Sequence, residues 1–191
     1  MRKDEITKLR EYASRAVTLF TVCVAVIVSL YVKWDNGVFH FDDTISFYMG
    51  REVWSAVIFG ICNVAVAYNW WQYIRDARKH YNKRWFIWGI LIVLMFLGLS
   101  ICPFMLFGEG IVTTLHQIFS RIMFAAMGLM VFEDALADKG WRKGIFLSFV
   151  AYGLIVVIIS VLTQFFWDYA FVFESIWIYG YMLMLVIAAH E

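Results

Sequence analysis

Proline is almost absent: Pro103 stands alone among 191 residues, and neither glycine nor serine clusters anywhere along them. Linkers and low-complexity tracts draw on those residues, so the chain reads as a single domain, 1–191, without a flexible segment. Charge is scarce as well. Charged residues make up 16% of the chain and hydrophobic ones 63%, against about 25% and 45–50% in soluble domains. A net charge of +1 leaves no global field to recruit nucleic acid, so no specific nucleic-acid partner is expected. There is no Asn-x-Ser/Thr acceptor for glycosylation. The three cysteines, Cys23, Cys62 and Cys102, all fall within apolar runs, where they read as buried small hydrophobes and not as disulfide partners. The first fourteen residues lack the short apolar core and small-residue cleavage site of a signal peptide, so the first span is expected to act as its own insertion signal.

What is present is apolar sequence in blocks. The runs are 16–32, 53–74, 85–107, 110–132, 145–166 and 172–189. Each is close to the roughly 20 residues that cross a bilayer as a helix, and an isolated span must satisfy its backbone internally. The expected fold is therefore all-α: a polytopic integral membrane protein built as a six-helix bundle. Ala56 and Gly60, four residues apart, with Gly128, Gly153 and Gly180, are expected to permit close helix approach.

Lysine and arginine set the expected orientation. They collect before the first span (Arg2, Lys3, Lys8, Arg10, Arg15), in the second loop (Arg75, Arg78, Lys79, Lys83, Arg84) and in the fourth (Lys139, Arg142, Lys143). The first loop has only Lys33 and Arg51, and the third and fifth have none. The positive-inside rule places both termini and the basic loops in the cytoplasm. Tryptophans near the predicted span ends, Trp34, Trp54, Trp167 and Trp177 at one surface and Trp70, Trp71, Trp85, Trp88 and Trp141 at the other, read as two interfacial belts. The segment from Lys33 to Glu52 is the only outer loop long enough to cap the bundle.

Arg121 breaks the apolar pattern near the middle of the fourth span, with no acid at matching depth in any run. A charge there is costly and usually functional. On a helical wheel stepping about 100° per residue from His116, Ser120 falls at about 40°, Thr113 at about 60°, Gln117 at about 100°, Arg121 at about 140° and Thr114 at about 160°. The six polar residues share one arc, expected to face the bundle with Asn63 and Gln164 as partners and Glu174 as the acid that dips inward. Three outcomes stand open: an ion pair of Arg121 with Glu174 or Glu52 within helix–helix contacts, an outer-half cavity in which Arg121 and His116 bind a lipid phosphate or a carboxylate, or Arg121 snorkelling to the surface. The candidate ligand-binding set is Arg121, His116, Gln117, Ser120, Thr113, Asn63, Gln164 and Glu174.

Two stretches carry a family resemblance: Thr44-Ile45-Ser46-Phe47-Tyr48-Met49-Gly50 leading into the second span, and Cys102-Pro103 closing the third with Leu115-His116 opening the fourth. In these the chain resembles the six-helix family of damage-regulated autophagy modulators (DRAM-like), the lipid-remodelling factor of glycosylphosphatidylinositol (GPI) anchors and their bacterial relatives. The resemblance implies an integral membrane protein linked to lipids or regulation, without an established catalytic mechanism, and marks His116 as its one site position.

Other chemistries lack their residues. His116 is the only histidine within a span, so a di-histidine haem has no second ligand, and zinc has no His/Asp cluster there. Ser120 lies one turn from His116 on the same helix, poor geometry for a nucleophile and its base. Arg75 and His80, spaced as in some helical ribonucleases, sit in a basic loop that the charge bias already explains, and Glu133, Asp134 and Asp138 read as solvated residues beyond the fourth span. No cofactor or metal is expected. The expected function is a non-enzymatic membrane protein that binds a lipid or small anionic ligand and acts through a protein partner or homo-oligomer. A channel or transporter subunit and a lipid-modifying enzyme using His116 as a base are the alternatives. The expected location is a bacterial inner (plasma) membrane, with a eukaryotic endomembrane as the other option.

Overall fold

The computed structural model describes residues 3–34, 39–40, 44–103, 110–162 and 168–188. Seven helices account for nearly all of them: α1 (Lys3–Trp34), α2 (Ile45–Gly50), α3 (Val53–Ala77), α4 (Lys83–Ile101), α5 (Ile111–Ala137), α6 (Trp141–Leu162) and α7 (Ala170–Ala188). All but α2 are long and apolar enough to cross a membrane. The expected all-α, six-span architecture is present.

Successive long helices pack side by side from α1 through α3, α4, α5 and α6, and α7 closes the ring against α1, α5 and α6. Residues 78–82, residues 138–140 and Ala188 gather with the N-terminal turn of α1 at one end, where His80 meets Glu5 and a pocket is shared by His80, Asp138 and Ala188. This is the basic end. The opposite end is capped by α2. Thr44 starts that short helix by accepting a hydrogen bond from the Phe47 N–H at 3.1 Å. Tyr48 is buried between Tyr31, Phe39 and Phe171, with ring centroids 5.9, 5.7 and 5.9 Å away. The expected cap therefore folds over the helix ends.

Local chemistry explains where the element bounds depart from the expected runs. α1 begins at Lys3 instead of residue 16, because its buried stripe (Leu9, Ala13, Ala16, Phe20, Ile27, Tyr31) continues at helical spacing into the charged segment. α4 stops at Ile101, short of 107. Cys102 precedes Pro103 and takes φ −120°, ψ 77°, as the proline ring excludes the helical region for its predecessor. α5 runs on to Ala137, five residues past the expected end, and carries Glu133 and Asp134 inside the fold.

A cluster of buried aromatic residues lies toward the basic end. Trp70 stacks on Tyr73 at 5.2 Å and tilts against Tyr181 at 5.4 Å. The Tyr181 hydroxyl donates to Met130 Sδ at 3.1 Å. Trp70 and Trp85 are 2% and 1% exposed, so they belong to the core and not to an interfacial belt. Trp177 is also internal: it stacks on Phe149 at 4.6 Å and fills the space left by Gly153. Trp71 and Trp141 remain exposed as an interfacial position requires, and Trp167 lies outside the described residues. The three cysteines are free and buried.

Candidate functional site

The core divides the polar arc of α5 in two. Met123, Met127, Met130 and Asp134 each fall within about 40° of His116 on the wheel, and all five residues are buried. That line marks the face turned to the bundle. Thr113 and His116 are buried with it, at 6% and 3% exposure, and Ser120 is half-buried. Gln117, Arg121 and Thr114 lie past the edge of this face and are exposed. The expectation that the whole arc points inward is thus corrected: only its leading edge does.

The inward half is held by short bonds. His116 Nδ1 lies 2.6 Å from the Cys102 carbonyl. A carbonyl can only accept, so the proton sits on Nδ1. Cys102 caps α4 and leaves a carbonyl that the helix cannot satisfy internally, so the imidazole fastens the end of α4 to the start of α5. Ser120 Oγ donates to the His116 carbonyl one turn back at 2.8 Å.

Deeper in, three of the expected residues converge. Asn63 of α3, Ser120 of α5 and Glu174 of α7 line one internal cavity of about 20 Å³, with Ser46 of α2 and aromatic walls from Phe20, Phe59 and Phe96. Asn63 is fully buried and neither its amide nitrogen nor its carbonyl oxygen has a hydrogen-bond partner. Glu174 dips inward as expected, but its partner is backbone: the Ile45 N–H donates to Oε2 at 2.8 Å. It thereby ties the cap helix to α7 instead of neutralising Arg121. A space of this size takes about one water and no lipid headgroup. Gln164 lies outside the described residues.

Arg121 is left on the outer surface of the ring. It forms no ion pair or hydrogen bond among the described residues. It lies about 15 Å along α5 from Ile111, near the middle of a hydrocarbon layer about 30 Å thick. Its neighbours on that face are Ile118, Ile122 and Leu129, all exposed, with Gln117 and Thr114 continuing a polar stripe toward the capped end. The adjacent α6 adds no charged side chain in its second half, where Leu154, Ile158 and Val161 are exposed.

No known protein family, characterised protein or solved structure matches this chain.

A second polar cluster was not anticipated. Glu133 and Asp134, expected to be solvated, are 8% and 3% exposed. Glu133 accepts from Asn82 Nδ2 at 2.7 Å and lies 3.6 Å from Arg84. Asn82 in turn starts α4, its Oδ1 accepting from the Trp85 N–H at 2.8 Å. Asp134 is buried without such partners. The sequence held the signal: Asp134 follows His116 by eighteen residues, five whole turns at about 100° per residue, so it shares His116's face. Among the described residues no group of three or more His, Cys, Asp or Glu side chains can hold a metal ion.

Proposed function

We propose that this is a non-enzymatic integral membrane protein that binds a lipid or small anionic group at Arg121 and acts through a partner. The observation that carries the reading is the exposed Arg121, midway along α5, with no counter-charge among the described residues. An arginine facing hydrocarbon is costly, about 2.5–3.5 kcal/mol on insertion scales, and an anion removes that cost. Helical side chains lean toward the helix N-terminus, here the capped end. Arg121 therefore reaches along Gln117 and Thr114 toward the headgroups of that leaflet. Its planar fork suits a phosphate through two parallel bonds. The internal cavity of about 20 Å³ is too small for such a ligand, so the binding surface is assigned to the exposed stripe. The charge bias of the loops favours the capped end as the outer one, with both termini cytoplasmic, and the membrane proposed is a bacterial inner one. The resemblance to lipid-linked six-helix proteins agrees with this reading and rests only on the segments around Ser46, Pro103 and His116.

Native mass spectrometry with lipid extraction tests it on wild type, Arg121→Ala and Arg121→Lys, all in mild detergent. The expected result is an anionic lipid retained by wild type, lost in Arg121→Ala and partly kept in Arg121→Lys. Equal lipid content in wild type and Arg121→Ala would sink the proposal.

A further inference from the structure

The basic end contains a pocket of about 160 Å³, lined by His80, Tyr81, Asp134, Asp138, Arg142 and Phe146 among others. An apolar cavity of similar size accommodates benzene, so a ligand of roughly benzene size, with an added polar head, fits. Most charges around it are already matched. Asp138 Oδ2 is 3.0 Å from Arg142 Nε, His80 Nε2 is 3.6 Å from Glu5, and Glu133 lies 3.6 Å from Arg84. Asp134 is the exception. It is 3% exposed, and neither carboxylate oxygen has a hydrogen-bond partner. The indole N–H of Trp85 interacts with it only from outside direct hydrogen-bond geometry. The carboxylates nearest to it in effect, Asp138 and Glu133, each lie beside an arginine, whereas among the described residues Asp134 does not.

A buried carboxylate is strongly disfavoured unless paired, and the cations that line the pocket are engaged elsewhere, Arg142 by Asp138 and His80 by Glu5. A metal ion would need more carboxylate or imidazole ligands than the site brings together. An ammonium needs only one carboxylate, and its apolar body has Phe146, Ala137 and Ala188 to rest on. The Tyr81 ring, on the same wall, stacks on Trp85 at 4.1 Å and adds apolar surface.

We infer that the basic-end pocket binds a protonated amine with a small apolar body, and that Asp134 is its counter-ion. This site is separate from Arg121, which lies more than three turns away on the opposite face of α5. The ammonium has two sources, a free amine or the headgroup of an aminophospholipid.

The test uses the full-length protein and benzylamine, with benzyl alcohol as the uncharged control of the same shape. In detergent, benzylamine is expected to raise the melting temperature of wild type with saturation, while benzyl alcohol does not. Asp134→Asn keeps the shape of the side chain and is expected to lose the shift, with affinity falling about tenfold or more. Ala137→Phe fills part of the pocket while keeping the Asp134 carboxylate and is expected to block the same shift, which covers the case of an unstable Asp134→Asn. For the lipid source, nanodiscs of phosphatidylethanolamine are compared with phosphatidylglycerol ones. Selective retention of phosphatidylethanolamine, lost in either variant, assigns the site to the lipid headgroup. The inference is overturned if benzylamine and benzyl alcohol act alike, or if neither benzylamine nor phosphatidylethanolamine distinguishes wild type from Ala137→Phe.

Discussion

His116 shows how one side chain can serve the fold while resembling a catalytic group. Its Nδ1 proton is committed to the Cys102 carbonyl at 2.6 Å, and the ring is 3% exposed. A general base must reach a substrate proton, and this ring is enclosed by its own bundle. Its work is to join α4 to α5. His116→Ala should therefore lower stability by about 1–3 kcal/mol, the usual cost of stranding a buried acceptor. That corresponds to a melting temperature lower by about 2–4 °C per kcal/mol for a chain of this size. His116→Gln, which keeps a donor, should recover part of the loss. Thermal unfolding in detergent reads both variants, and an unchanged melting temperature in His116→Ala would remove the staple from the account. The polar residues of this helix were legible as a group; their direction was not. A lipid-facing surface is as apolar as a membrane-protein core, so hydropathy gives the relative angles of Arg121 and His116 but not which of them meets the bundle. The methionines decide it, because Met123, Met127 and Met130 pack inward with His116. The same absence of contrast hid Asp134, which reads as a solvated end residue until α5 is continued past Phe132.

At the scale of elements, existence was easier to read than extent. All six long helices were legible from apolar run length, and the cap from the length of the first loop. The bounds followed local rules that run length does not contain, as at Cys102 before Pro103 and in the amphipathic start of α1. Of the glycines expected to permit close helix approach, Gly60 does so, while Gly128, Gly153 and Gly180 make room for the Trp177 and Phe149 rings. A Cβ at Gly60 would stand 2.9 Å from the backbone oxygen of Ser100 on α4, which cannot rotate away, whereas one at Gly144 would meet nothing within 4 Å. These two glycines should respond with opposite signs. Gly60→Ala should destabilise by about 1–3 kcal/mol as α3 and α4 are forced apart. Gly144→Ala, at an exposed position in α6, should stabilise by about 0.5–1 kcal/mol through helix propensity. Denaturant titrations of both variants in the same detergent give the comparison. A Gly60→Ala protein as stable as wild type would mean that the α3–α4 contact is looser than this geometry.

For the whole molecule, the buried polar groups His116 and Asp134 lie toward opposite ends of α5, and the side chains between them on its inner face are Met123, Met127 and Met130, each at most 4% exposed. A polar path through one protomer is therefore interrupted in the middle of the bundle, and a channel would have to form between copies. The ring also ties function to orientation, because the capped end carries Glu174, the cavity beside Asn63 and the stripe leading to Arg121, while the basic end carries the Asp134 pocket. Loop charge, and not the internal packing, sets which end faces the cytoplasm. The native thiols are buried, which makes the orientation accessible to single-cysteine labelling once they are replaced by alanine. Asp168→Cys lies at the capped end and Lys139→Cys at the basic end, both at exposed positions. With a membrane-impermeant maleimide, Asp168→Cys should label in intact cells and Lys139→Cys only after lysis. The reverse pattern would turn the protein over. Arg121 would then reach toward the inner leaflet, the Asp134 pocket would open outward, and its amine would come from outside the cell.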